Sequence, residues 1–396
     1  MPGIFDALTP TTIANFARGA WDGISINCWA LAEMKRAGAF QYDVGGDSLS
    51  GPIEAGRYQP TITAPGQDLS ALFTPKVRHA RWNFGWGELA NALVIDNGML
   101  RRNSGDQALV RLRDVEIPAM FRDTLIGTNG LVHQFYNMNG SAFTGQGLPF
   151  YGLPSFLVPA GTANLNGFNR VTKALTGSAP AATDREVALT TSGQTYGGLS
   201  LAPNGLNGVD SAQYDSWMPT MVNATSTAWN GSANAAANIE RSLQYLVNQM
   251  TRFGQNDPSI APRFGVLDQQ YYAFLGDLKS SRETVFVQQT SKTNDVPDTG
   301  YKPVEGIMHA GILWRWDELM PGQTAYLGAP GKMKFHVQPL YRNVQDSPLR
   351  VSGEEAGIME SAIVYDVVRR GYLASTTIPG QFVFEPRYWG CLRNYA

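Results

Sequence analysis

Hydrophobic and polar positions change character several times along the chain. Between Thr12 and Lys35, Trp21, Ile24, Cys28, Trp29 and Leu31 form a loose apolar stripe broken by Gly19 and Gly23, which predicts one or two short helices. From Gly45 onward, Gly45-Gly46-Asp47, Gly51-Pro52, Pro60 and Pro65-Gly66 punctuate a run that excludes helix. Ala80, Trp82, Phe84 and Trp86 then alternate with Arg81, Asn83 and Gly85, the period of a strand with one aromatic face. Pairing 53–62 with 76–86 around a turn at 65–70 gives a long two-stranded arm. A lone ribbon of two strands is marginal in water, so the arm needs a surface to lie on, and a neighbouring subunit would supply one.

Helical spacing follows. Ser104 and Gln107 have capping-box spacing, and Leu109, Leu112, Ile117, Phe121, Leu125 and Ile126 predict a long helix, kinked or divided near Pro118. From Gly145 to Gly231 the composition turns to Gly, Asn, Ser, Thr and Pro, which predicts long loops and a small sheet with strand pieces such as Phe156-Leu157-Val158. Ser232 opens a second helix, with Ile239, Leu243, Leu246, Val247, Met250 and Phe253 on one face and Gly254 as its stop. Phe264 to Leu267 reads as a buried strand, and Asp268 as the cap of a helix carrying Tyr272, Leu275 and Leu278. Near the end, 363–368 and 382–385 read as two closing strands separated by Pro379-Gly380. No repeat or heptad run occurs, so the expected class is α+β rather than solenoid or coiled coil.

Composition sharpens this picture. The 396 residues are 43% hydrophobic and 11% aromatic, enough for a sizeable core, yet only 16% are charged. Soluble chains usually carry roughly 25% charged residues, so this surface is poorly protected against self-association and is expected to meet other protein. A formal net charge of −2 provides no general positive field for holding nucleic acid. Cys28 and Cys391 make neither a disulfide framework nor a zinc ligand set. The opening Met1-Pro2-Gly3-Ile4-Phe5-Asp6 and the absence of a long apolar run give no sign of export or membrane insertion.

Candidate chemistry is sparse. Gly46-Asp47-Ser48-Leu49 has the letters of the GDSL serine-esterase nucleophile box. A serine nucleophile needs an imidazole base, yet none of His79, His133, His309 and His336 stands in an Asp-x-x-His arrangement. Turn chemistry is the preferred reading of that segment. No two histidines are close in sequence, no Cys-x-x-Cys exists, and the pairs Gly45-Gly46 and Gly197-Gly198 lack dinucleotide spacing. No catalytic residue, metal or cofactor is therefore expected. Trp314-Arg315-Trp316-Asp317 admits a sugar-binding reading, but with Pro321-Gly322 following it reads better as a strand ending in a turn.

The order of parts resembles tailed-bacteriophage major capsid proteins, whose fold is shared with herpesvirus shells and encapsulin nanocompartments. Gly147-Leu148-Pro149-Phe150-Tyr151-Gly152-Leu153-Pro154-Ser155 resembles the passage from the spine region to the axial domain. Tyr196-Gly197-Gly198-Leu199 with Tyr214-Asp215-Ser216-Trp217, and 264–272, 311–317 and 325–328, are similar to further family segments, although no long charged helix precedes the arm. The resemblance implies an N-terminal arm (1–45), an extended hairpin loop with flanks (46–95), a peripheral domain with a spine helix (96–155), an axial domain (156–332) and C-terminal return strands mainly in the peripheral domain (333–396). It implies hexamers and pentamers tiling an icosahedral shell around double-stranded DNA, with separate scaffold, portal and possible decoration proteins, and no membrane. Arg57, Tyr58, Lys76, Arg78, Arg81, Trp82 and Trp86 become candidate subunit contacts. Arg101, Arg102, Arg111 and Arg113 become a candidate interior face near the DNA, although a solvated helix face balanced by Asp106, Asp114 and Glu116 is the favoured reading. An encapsulin-like compartment, a GDSL esterase and a carbohydrate-binding module are the rival functions.

Overall fold

The computed structural model describes residues 28–42, 46–54, 79–96, 115–137, 150–157, 165–170, 172, 174–176, 180–189, 195–202, 217–251, 260–282, 306–338, 360–366 and 371–395. In chain order these form α1 (Trp29–Arg36), β1 (Phe40–Gln41), β2 (Leu49–Glu54), β3 (His79–Phe84), β4 (Gly87–Asp96), α2 (Ile117–Ile126), α3 (Leu131–Asn137) and α4 (Pro154–Leu157). Next come β5 (Leu165–Asn169), β6 (Ala174–Leu175), β7 (Glu186–Leu189), β8 (Thr195–Tyr196), β9 (Leu199–Ser200), β10 (Thr220–Asn223) and α5 (Ala235–Thr251). The remainder is β11 (Phe264–Leu267), α6 (Gln269–Arg282), β12 (Ile307–His309), β13 (Ile312–Trp316), β14 (Thr324–Gly328), β15 (Met333–Val337), β16 (Glu360–Asp366), β17 (Gly371–Phe384) and β18 (Trp389–Arg393). The class is α+β, as the sequence pattern predicts.

Two large sheets organise the molecule. A nine-stranded sheet runs β12-β13-β11-β14-β18-β10-β7-β5-β6, and a five-stranded one runs β1-β15-β17-β16 with β4 also paired to β17. Strand alternation divides the nine-stranded sheet into two faces. Val222, Leu267, Ala325, Leu327 and Leu392 pack beneath α5 and α6, against Ile239, Leu243, Leu246, Tyr271 and Leu275. Their sequence neighbours Met221, Val266, Tyr326 and Cys391 enter the larger core, which also takes Phe335, Phe382 and Phe384 from the five-stranded sheet and Phe121 and Phe135 from α2 and α3. Each fully buried aliphatic side chain of this kind contributes roughly 1.5–3 kcal/mol relative to exposure.

Helix starts follow from capping chemistry. Asp268 caps α6 as expected: its carboxylate accepts the N–H of Tyr271 at 3.1 Å and of Gln270 at 3.3 Å, and also that of Gln323 at 2.9 Å. The start expected at Ser232 shifts to Ala235, because the Asn234 side chain accepts the Ala236 N–H at 2.9 Å and its backbone carbonyl receives the Asn238 N–H at 3.2 Å. Pro118 lies in the first turn of α2, where its missing N–H costs no helical bond. The predicted cap at Ser104 and Gln107 lies outside the described residues.

Two expectations need correction. Phe156 and Leu157 belong to the short helix α4 rather than a strand: Pro154 presets its first turn, and the Leu157 N–H reaches the Leu153 carbonyl at 3.1 Å. A brief apolar run cannot be told from a buried helical turn by periodicity. Pro379-Gly380 does not separate two strands, because β17 runs through it in register, Pro379 opposite Glu88 and Gly380 opposite both Gly87 and Val337. The Pro379 carbonyl accepts the Gln338 N–H at 3.0 Å, so the absent N–H faces the gap between β15 and β16, whose pairing with β17 stops at Glu360 opposite Thr377. The last strand, β18, lies inside the nine-stranded sheet, between β14 and β10.

Candidate subunit-contact site at the base of the hairpin

The strands β2 and β3 pair antiparallel, with Leu49 opposite Phe84, Gly51 opposite Trp82 and Glu54 opposite His79. Exposure along β3 alternates until Phe84 is buried, the one-sided aromatic pattern that the sequence predicts. The Trp82 indole covers Gly51 so closely that a Cβ there would lie 2.5 Å from the ring. On the outer side the Arg81 guanidinium donates to the Ser50 hydroxyl at 2.5 Å.

Inward, the base is fixed by rings and by buried hydrogen bonds. Phe84 contacts Tyr196 at 4.6 Å, Tyr151 at 5.3 Å and Trp82 at 5.4 Å between ring centroids. Tyr196 begins a two-residue turn between β8 and β9 in which Gly197 (φ 61°) and Gly198 (φ 77°) both take left-handed dihedrals. The Gly197 carbonyl accepts the Asn83 N–H at 2.8 Å, and a Cβ on Gly197 would lie 2.6 Å from the Phe84 ring. Complete burial pushes the Tyr196 hydroxyl well above its ordinary pKa, so it stays neutral and accepts the Phe384 N–H at 3.0 Å. Fully buried Gln381 donates to the Gly85 carbonyl at 2.9 Å and accepts the N–H of Tyr151 at 2.8 Å, which ties hairpin, α4 approach and β17 together. Neither the Gln381 clamp nor the part played by Gly197 was legible beforehand; only the paired glycines carried a signal, read as a tight turn. Gly197→Ala is expected to lower stability by about 1–3 kcal/mol, from left-handed strain plus the Phe84 clash, measured by urea unfolding.

The expected contact residues fare differently. Trp86 is only 9% exposed and donates its indole N–H to the Gly46 carbonyl at 2.6 Å within this chain, so it anchors the base from inside. Trp82 is half-buried against the core and Arg81 is exposed. Arg57, Tyr58, Lys76 and Arg78 lie outside the described residues, as do Arg101, Arg102, Arg111 and Arg113.

The rival chemistries find little geometry. Ser48 is exposed beside Leu49, whereas His79 stands opposite Glu54, five strand steps or about 17 Å from Leu49. His309 is engaged by the Glu240 carbonyl at 3.0 Å, and burial lowers its pKa. Among the described residues no group of three or more His, Cys, Asp or Glu could hold a metal, and no helix is long and apolar enough to cross a membrane. Trp314 is fully buried while Trp316 is 46% exposed, so the two do not share an open sugar platform. Arg315 instead lies 4.0 Å over Trp29, and β13 ends at Trp316, after which Asp317 accepts the Leu319 N–H at 3.1 Å.

Asp317 also carries a pH signature. Desolvation raises its pKa, while the Leu319 N–H and the Tyr136 hydroxyl oppose the shift. A carboxyl whose folded pKa exceeds its unfolded value destabilises the fold above the folded pKa, and the penalty is relieved as pH falls through it. Asp317→Asn keeps an acceptor for Leu319 and is expected to raise stability at neutral pH and flatten its rise toward acid. Unfolding midpoints measured across the acid range check this, and an unchanged slope would exclude it.

No family model matches this sequence, and no curated protein matches it. Solved structures do match. The capsid subunit of cyanophage A-1(L) superimposes with a TM-score of 0.50 at 12% identity, covering 91% of this chain and 93% of that one. The capsid of a native GTA particle matches at TM-score 0.46 and 12% identity over 92% and 90% of the two chains. The SrpI encapsulin of Synechococcus elongatus matches at TM-score 0.42 and 9% identity over 90% and 84%. Over nearly its whole length, the chain has the fold of phage major capsid proteins.

Proposed function

We propose that the chain is the major head protein of a tailed double-stranded DNA bacteriophage, a non-enzymatic subunit that assembles with itself into hexamers and pentamers of an icosahedral shell. The observation that carries this reading is the end-to-end likeness to the cyanophage capsid subunit. In this reading 1–45 is the N-terminal arm, 46–95 the extended hairpin, 96–155 the peripheral domain, 156–332 the axial domain and 333–396 the returning strands, with β18 crossing to the axial sheet. The hairpin base supports it physically. A lever that loads a neighbour needs a rigid root, which the rings around Phe84 and the Gln381 amide provide. Arg57, Tyr58, Lys76, Arg78, Arg81 and Trp82 would meet the adjacent subunit. Many modest contacts then gain strength by avidity. Scaffold and portal proteins, possible decoration proteins and enclosed DNA are the implied partners, and the virion is the implied location.

The test is co-expression with a scaffold protein and electron microscopy, with nuclease-protected DNA assayed in virions. Icosahedral particles are the expected result, and a partner-indifferent monomer would refute the reading. Particles enclosing a cargo enzyme would favour an encapsulin-like compartment. Deleting Thr61 to Pro75 is expected to leave a folded subunit that no longer forms stable shells. Normal particles from that deletion would refute the hairpin's role.

A further inference from the structure

We propose that a matched pair of proline turns locks the two sheets at one angle, so that the two lobes move as a single body. The strands β14 and β18 form one ribbon, ending at Gly328 opposite Trp389, and β15 and β17 form another, beginning at Met333 opposite Phe384. Both connections, Pro330–Lys332 and Pro386–Tyr388, are single 3-10 turns that start on proline.

The two turns are near copies. Before them, Ala329 has φ −97°, ψ 109° and Glu385 φ −95°, ψ 100°; after them, Met333 has φ −126°, ψ 139° and Trp389 φ −126°, ψ 141°. Their hydrogen bonds are reciprocal. Ala329 N–H donates to the Tyr388 carbonyl at 3.2 Å and Glu385 N–H to the Lys332 carbonyl at 3.1 Å. Each turn is closed by its own bond, Lys332 N–H to Ala329 at 2.9 Å and Tyr388 N–H to Glu385 at 3.1 Å. Lys332 and Arg387 both lie over the Tyr388 ring, at 5.2 and 4.5 Å, and both approach Glu385, at 3.3 and 4.0 Å. These ion pairs are partly exposed and contribute little by themselves.

A hinge needs backbone freedom, and this corner has little. Proline fixes φ near about −65° in each strand, and the cross-bonds force both strands to change together or not at all. Nor does the core offer a seam. The Phe135 ring touches Phe264 of the nine-stranded sheet at 6.0 Å and Phe382 and Phe384 of the five-stranded sheet at 5.6 and 5.9 Å. If the shell reading holds, differences between subunit environments must be absorbed between copies and in the hairpin rather than between these lobes.

Hydrogen exchange on the full chain tests the lock without requiring shells. The amides of Ala329, Lys332, Glu385 and Tyr388 should exchange as slowly as those in the centres of β14 and β17. In the Pro330→Gly/Pro386→Gly variant the four should exchange about tenfold faster or more, with both ladders still protected. Wild-type exchange at the corner about tenfold faster than in the flanking ladders would overturn the lock, as would an unchanged corner in the folded variant. Should the double variant fail to fold, the wild-type comparison and the single Pro386→Ala variant decide. Wild-type protein that forms no particles would refute the shell reading while leaving the lock intact.

Discussion

Glu186→Ala is expected to cost about 3–5 kcal/mol of unfolding free energy, because it removes the carboxylate that faces a buried guanidinium. Arg170 and Glu186 are 9% and 1% exposed at their side chains, and Arg170 Nε donates to both carboxylate oxygens, at 2.7 and 3.0 Å. Thr220 accepts a further bond from Arg170 at 3.4 Å, and the guanidinium lies 5.4 Å over the Phe168 ring. The Tyr245 hydroxyl completes the carboxylate's shell at 3.3 Å; burial, then the Glu186 charge, pushes its pKa up to about 12, so it remains a neutral donor. Replacing the whole pair, Arg170→Met with Glu186→Leu, should recover most of the loss, since desolvation offsets much of a buried pair's attraction. Urea midpoints at constant slope provide the measurement. A single-variant cost below about 1 kcal/mol would show that water reaches the site.

Phe135→Ala should be similarly severe, about 3–5 kcal/mol, from lost transfer energy plus the cavity left behind. The ring is buried on α3 and touches Tyr136 at 5.0 Å as well as the three phenylalanines that join the sheets. Phe135→Leu keeps most of the volume and should cost clearly less in the same urea unfolding experiment. Equal losses for the two variants would mean that aromatic geometry, rather than filled volume, holds the sheets together.

Local chemistry made part of this molecule legible in its sequence. Phe264–Leu267, the Asp268 cap and the face of α6 lie within a few residues of each other, and each states its own conformation. The aromatic alternation from Ala80 to Phe84 likewise specified both strand and inward face. Pro379 misled because its tolerance depends on where β15 and β16 stop, which only the assembled sheet determines. The clamp from Gln381 to Gly85 spans 296 positions, and Arg170 meets Glu186 only after β5 and β7 have paired. Contacts of that range leave no local period. The candidate contact site was legible as an aromatic strand, but not in the division of labour between inward Trp86 and outward Arg81.

The place of β18 bears on biosynthesis. This strand of residues 389–393 fills the slot between β14 and the parallel strand β10, so its neighbours are synthesised long before it arrives. A nascent chain halted before Trp389 would keep two raw β edges where the centre of the sheet should be. A product terminated ahead of this strand would therefore lack the piece that joins the two halves of the nine-stranded sheet, although every other strand had been made.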